Sequence, residues 1–541
     1  MAAHAIFASS ILTGAFVHLC YFRSNEHHLY PFRYVQFHGL LFVIAVALLP
    51  LLAGIPVGQS LKAISQAMLC YLGGLYASLT LYRCILHPVN AFPGPIGAKL
   101  SALWLSWQLR SRPAFRMLHD LHCKYGPIVR IGPSDLSIVD PQAVRLIYGQ
   151  QSSCTKNEFY DMSYPAQSLL SFREKSLHDR RRRVWSTGFS DKALRGYERR
   201  IQVYRQKLFD QFMVREGELV NVIKWFSFYA YDVMGDLAFA RSFDMLDDNQ
   251  NHWAIQVLLD GIGPLEYMIP VWLLRLCLGI AVLSKDWWRF GQFCNDRLMH
   301  RMKVDQHKLL ASSERNTPAI PDISASLLAS VDCDNPSLND IGTLGADTRL
   351  ILTAGRFGSL INEIALLMTQ WLTGSFYSDT SAIALTMVVY QLAQHPEEVL
   401  KLRKELAPFT ADENGEYSHE QISRLARLNG FINETLRLYP PIPAPAAYVD
   451  PESFIPERWF EKPELIKEKS AFAPFTIGSY ACIGKSLALM NLRTTTARMV
   501  MTFDIQFPAG VDGSLFVDNF REHFSLSIEE MPIVLTRYRP E

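Results

Sequence analysis

The chain has 541 residues and a net charge of +1, which excludes the strongly basic footprint of a nucleic-acid-binding protein. Its nine cysteines, odd in number and without C-x-x-C pairs, do not form a disulfide framework and point to a reducing, cytosol-facing compartment. Hydrophobic content is 49%, high for a soluble protein, and the excess lies at the N-terminus.

Residues 5–22, 37–57 and about 64–82 are three apolar stretches near bilayer-spanning length. The first has no basic n-region and no credible cleavage site, so it reads as an anchor and not as a cleaved signal. Arg23 and Arg33 lie between the first two stretches, Lys62 alone between the next two, and Arg83 follows the third. The positive-inside rule then places the first loop and everything after residue 83 in the cytosol. One true span with two hairpin or interfacial helices is the alternative.

Phe92-Pro93-Gly94-Pro95 breaks any helix and reads as a stiff hinge. Tyr125–Gly132 and Leu136–Val139 read as two short strands joined by a turn. Next comes His178-Asp-Arg-Arg-Arg182-Arg183-Val-Trp185. An arginine run is commonly a solvated helix face. Here, however, His178 and Arg182 stand at i and i+4, on one side of a helix, and suit a pair of carboxylates. From 225 to 330 the chain reads as helices: Trp225–Met245 apolar, Asp286–Gln306 amphipathic and basic, with an apolar stretch at 253–282 between them. Glu434 and Arg437 stand at i and i+3 on a helix, in isolation an ordinary surface pair.

The stretch Phe475-Thr-Ile-Gly478-Ser-Tyr480-Ala-Cys482-Ile-Gly484 precedes a 17-residue run, Lys485 to Met501, free of Pro and Gly. That run reads as a helix, so Cys482 sits just before a helix N-terminus, where exposed N–H groups favour a thiolate. Gly478 and Gly484 let the backbone take positive φ or approach a large flat partner. A thiolate beneath such a surface suits a haem iron; a buried structural cysteine is the plainer alternative. The F-x-x-G-x-x-x-C-x-G spacing resembles the haem-binding loop of the cytochrome P-450 family. That family usually has Arg or His where this chain has Tyr480, which carries no charge near neutral pH.

The resemblance covers about 90 to 541 and implies a mainly α haem-thiolate fold with a small β portion, preceded by a transmembrane anchor at 1–90. It implies Cys482 as axial ligand of haem b, with Phe475, Gly478 and Gly484 shaping the loop and Arg182 and His178 at the propionates. It also implies that Glu434, Arg437 and Arg458 of Pro456-Glu457-Arg458-Trp459 form a buried network locking the cysteine loop. Segment 253–282 would cap the substrate cavity at the membrane.

Two departures stand out. The family's oxygen-activating helix carries A/G-G-x-D/E-T-T/S, whereas this chain has Ala354-Gly355 and, 22 residues later, Ser378-Asp379-Thr380-Ser381. Those 22 residues would lengthen a continuous helix by about 33 Å and turn its halves out of register by about 40°. Residues 356–377 therefore read as an insert, and Asp379 and Thr380 as the proton-relaying pair. Gly345-Ala-Asp347-Thr348 is a decoy, because Arg349 follows where a small hydroxyl residue is expected. The second departure is a missing segment near 446–450: Pro456 follows Arg437 by only 19 positions, where the family has several dozen residues. Together these read as a retained short intron and a skipped exon.

The function implied is a monooxygenase inserting one oxygen atom from O2 into a small lipophilic substrate, with electrons from NADPH through NADPH–cytochrome P-450 reductase. Lys485 and Arg493 would offer that reductase positive charge. The expected location is the endoplasmic reticulum membrane with the catalytic part facing the cytosol. A non-oxygenase haem-binding membrane protein, or a haem-thiolate isomerase or dehydratase, is the alternative.

Overall fold

The structure is a computed structural model that describes residues 2–539 apart from 163, 261–266, 279, 312–321, 329–337, 354–379, 440–447, 519, 524, 528 and 529. The chain forms two compact units. The first comprises Met1–Ile138, Asn157–Tyr164 and Tyr267–Ser284; the second comprises Val139–Lys156, Pro165–Glu266 and Lys285–Glu541.

In the first unit the apolar stretches become three helices, His4–Phe22, Pro31–Ala53 and Val57–Leu86. The second starts earlier than the hydropathy alone indicates, because Pro31 presets the φ of a first helical turn. It stops at Ala53, where Gly54 takes φ +65 and Pro56 follows. The first and third helices meet through glycines. A Cβ on Gly14 would lie 2.0 Å from the Tyr71 carbonyl oxygen, and one on Gly74 2.1 Å from that of Ile11. Leu12, Phe16, Leu51 and Leu52 are exposed, which suits lipid and not water. Full-length protein is accordingly expected to resist carbonate washing, and a chain lacking residues 1–86 to appear in the soluble or salt-extractable fraction. Release of the full-length chain by carbonate would refute spanning.

The loop between the first two helices is clasped. His28 is buried, its Nε2 2.9 Å from Asp161 Oδ2 and its Nδ1 3.2 Å from Glu158 Oε2. Arg275 donates to the carbonyls of Asp161 at 3.0 Å and Leu29 at 3.3 Å, closing the same corner. Burial pulls the His28 pKa down, but the facing Glu158 and Asp161 carboxylates, which favour the protonated ring, outweigh it and the net shift is upward from 6.5. A raised histidine pKa contributes stability that is complete below about 6.5 and fades as pH rises through the raised value. Hydrogen exchange in the 23–30 loop, corrected for intrinsic rate, is expected to quicken with pH across that window. A His28→Gln chain should lose the pH dependence; a wild-type loop indifferent to pH would remove the clasp.

The Pro93-Gly94 hinge is stitched to the strand β1 (Ile128–Arg130), which pairs antiparallel with β2 (Leu136–Ile138). The Arg130 amide donates to Pro93 O at 2.8 Å. Its buried guanidinium reaches Asn90 Oδ1 at 2.5 Å and Pro133 O at 2.6 Å.

The second unit is helical, with a minor β portion. The helix Val222–Phe239 runs through its core, nearly every side chain buried, and ends where Ala240 takes φ +54. It packs against Asp191–Val214, Leu338–Thr353 and Thr380–Gln394. Strands β3 (Leu219–Asn221), β4 (Phe503–Gln506), β5 (Arg521–His523), β6 (Ser525–Ser527) and β7 (Pro532–Arg537) supply the rest. Their order is β3-β7-β4 in one antiparallel sheet, with β5 and β6 a separate pair. The basic stretch expected at Asp286–Gln306 lies within a longer helix, Ala281–Ala311.

Candidate active site

The run after the cysteine is the helix Lys485–Thr502, capped by Gly484, so Cys482 lies just ahead of its first turn. The loop is closed by the Cys482 amide donating to Phe475 O at 2.8 Å. Thr476 takes φ +53 and its hydroxyl donates back to Phe475 O at 2.7 Å. Gly478 takes φ +70, and a Cβ there would lie 2.0 Å from Tyr148 O, so glycine is required on two counts. Gly484 has φ −82 and ordinary clearance of 3.9 Å to Cys482 Sγ, so its protein neighbours do not demand glycine.

Cys482 is exposed on one side, and the amides of Gly484 and Lys485 donate towards its sulfur. The expectation from helix position alone was a stabilised thiolate. The amides do act in that direction, while burial acts against them and pushes the thiol pKa up overall. The two amides and the Arg182 and Lys485 charges offset that only in part.

Cations converge on the residues just before the cysteine. Arg182 donates to Ala481 O at 2.6 Å. Lys175 reaches Ser479 Oγ at 2.6 Å and is balanced by Asp179 at 2.8 Å. His178 is buried with its ring 4.6 Å from that of Tyr480. Burial holds its pKa below the usual value, with Lys156 and Arg182 pushing the same way and Asp179 opposing them. The i, i+4 pair thus faces the cysteine loop. The buried Tyr480 hydroxyl has no hydrogen-bond partner among the described residues. An uncommitted phenol donor beside Arg182 is a set that fits the two carboxylates of haem.

Glu434, Arg437 and Arg458 are brought together completely. Glu434 is fully buried and accepts from Arg437 Nε and Nη2, each at 2.9 Å, and from Arg458 Nε at 2.9 Å. The Ile455 amide at 2.9 Å and Trp459 Nε1 at 3.0 Å complete its shell. Both arginines carry on to main-chain carbonyls, Arg437 to Pro451 and Ser453, Arg458 to Val449 and Asp450.

Thr380 opens the helix Thr380–Gln394, which packs on the helix after the cysteine. Asp379, the insert 356–377 and the stretch 440–447 lie outside the described residues. The decoy is fully engaged elsewhere. Buried Asp347 accepts from Leu169 N at 2.8 Å, Arg181 Nε at 2.5 Å and Trp185 Nε1 at 2.9 Å, tying its helix to the arginine-rich one. Local sequence gave no sign of that tie, since its partners are some 160 residues away or more. Of the two cations expected to face a reductase, Lys485 is exposed. Arg493 is half-buried and turned inward, onto Asn429 Oδ1 at 2.8 Å.

A family model described as Cytochrome P450 matches residues 93–355, 360–445 and 443–533. Among similar proteins, cytochrome P450 monooxygenase notG' of Aspergillus versicolor is 49% identical over 560 aligned positions, covering 97% of each chain. Tryprostatin B 6-hydroxylase of Aspergillus fumigatus is 47% identical over 574 positions, covering 98% of this chain and 96% of the relative. Cytochrome P450 monooxygenase lcsK of Purpureocillium lilacinum is 32% identical over 569 positions, covering 98% of each.

Proposed function

The chain belongs to the cytochrome P450 family, and from that premise we propose that it is an endoplasmic-reticulum hydroxylase of small lipophilic secondary metabolites. The family's cofactor is haem b, with electrons from NADPH through a reductase. When bound, haem supplies the reductive splitting of O2, so that RH, O2, NADPH and a proton become ROH, water and NADP+. The observation that carries the reading is the Cys482 loop, closed onto Phe475 and ringed by Arg182, His178 and the Tyr480 hydroxyl.

In this reading Cys482 holds the iron, Arg182 and Tyr480 hold the propionates, and His178 packs Tyr480 in place. Glu434, Arg437 and Arg458 keep the loop rigid and take no part in proton transfer. Asp379 and Thr380 Oγ1 pass protons on the oxygen side as general acids. Lys485 marks the face for NADPH–cytochrome P-450 reductase. The relative named for 6-hydroxylation of tryprostatin B favours a hydroxylase acting on a compound of that kind. The His28 to Asp161 bond supports a cytosolic catalytic part, since it holds the loop after the first span and a segment beyond the third on one face.

We infer further that the chain as written is a poor oxygenase. The family match is interrupted at 356–359, where the expected insert begins, and resumes through 360–377; its second and third segments overlap at 443–445, beside the expected gap. The alignment to the first relative exceeds the length of this chain, so that relative carries stretches this one lacks. An incompletely walled site admits water, and exclusion of water is what suppresses side reactions. With reductase, NADPH and labelled O2, the chain as written is expected to consume NADPH with little labelled product. A chain lacking 356–377 and carrying the relative's segment after Pro445 should form labelled product at least tenfold faster. Robust turnover by the chain as written would sink the impairment. Transcripts that all carry the insert and lack the segment would sink its origin in splicing.

A further inference from the structure

We propose that Lys156 supplies the positive charge at a haem propionate that Tyr480 cannot, the two acting as a split replacement for one arginine. The inference rests on the haem reading above.

The tripeptide Ser479-Tyr480-Ala481 meets a different cation at each residue. Lys175 takes Ser479, Arg182 takes Ala481 O, and Lys156 Nζ lies 4.7 Å from the centre of the Tyr480 ring. These three cations are not equivalent. Lys175 is neutralised by Asp179. Arg182 and Lys156 flank Tyr480, and burial, with repulsion from Arg182 as the lesser cause, depresses the Lys156 pKa to about 7. The Lys156 ammonium is fixed by the carbonyls of Leu169 and Leu170, and its own carbonyl is bonded by Arg173 Nε at 2.9 Å. It is therefore a placed charge and not a waving surface lysine. Two like charges held apart around a phenol are relieved by an incoming anion. The buried Tyr480 hydroxyl, without a hydrogen-bond partner among the described residues, offers that anion one hydrogen bond. A carboxylate between them gains what an arginine at position 480 would give: a charge and directed donors.

The holoprotein is the test object, and the readout is the rate at which haem transfers to excess apomyoglobin. Lys156→Met is expected to release haem about tenfold faster or more, the range for a hydrogen bond to a charged group. Adding Tyr480→Arg to that variant should restore retention to within about threefold of wild type. Lys156→Arg keeps the charge, and in resonance Raman spectra should shift the propionate bending bands without loosening haem. An unchanged release rate in Lys156→Met overturns the proposal. So does faster release that Tyr480→Arg fails to slow, since Lys156 would then only prop the loop. Unshifted propionate bands in Lys156→Arg overturn it even if the methionine variant does not accumulate. Wild-type protein that takes up no haem at all would instead overturn the haem reading itself.

Discussion

Cys482→Ala is expected to give a folded, membrane-bound protein that shows no red-shifted Soret band when reduced under carbon monoxide. Its product formation should fall to background. The substitution removes one sulfur and leaves the backbone closure intact, because it is the Cys482 amide that bonds Phe475 O. Gly478 keeps its φ of +70 and Arg182 keeps its carbonyl partner, so the loop has no reason to move. What is lost is the only atom there able to bind iron through a soft, anionic donor. Burial pushes the Cys482 thiol pKa up, and a bound metal ion would favour the deprotonated sulfur. A red-shifted band surviving in the alanine variant would remove Cys482 from the role. Loss of the folded protein along with the band would leave the effect to packing; unchanged far-ultraviolet dichroism is the control.

The parts of this site that sequence made legible are those whose partners are close along the chain. Phe475, Gly478, Cys482 and the start of the following helix lie close together along the chain, so spacing alone carries their geometry. Glu434 and Arg437 share a helix face for the same reason. Lys156 was invisible, because its neighbours Tyr480 and Arg182 come from a loop and a helix that only the fold brings up to it. The three-way contact of Asp347 with Arg181, Trp185 and Leu169 was likewise hidden, and the motif around it looked like chemistry when its carboxylate is already spoken for. Hydropathy found three spans but missed the break at Gly54 and Pro56, since a sliding average smooths over the two residues that end a helix. At the thiol the helix N-terminus acts in the expected direction, its amides lowering the pKa, but the burial that outweighs them comes from distant side chains and is not visible in sequence.

Glu434→Ala is expected to abolish accumulation of folded protein, by a mechanism separable from chemistry. Glu434 is fully buried and accepts from five donors, three of them on Arg437 and Arg458. Removing the carboxylate strands two buried guanidiniums. Breaking a buried pair in this way costs about 3–5 kcal/mol, a large part of the roughly 5–15 kcal/mol that holds a domain folded. The main-chain carbonyls of Val449, Asp450, Pro451 and Ser453 remain as acceptors, but they carry no charge to offset the arginines. Glu434→Gln keeps the shape and one acceptor oxygen, so it should fall between wild type and alanine in melting temperature and in haem-loaded yield. Any holoprotein it gives should turn over at close to the wild-type rate per haem, because the carboxylate supports the loop and moves no proton. Made in the chain that lacks 356–377 and carries the relative's segment after Pro445, a Glu434→Ala protein that melts like its parent yet forms no product would reverse the assignment and place Glu434 in the chemistry.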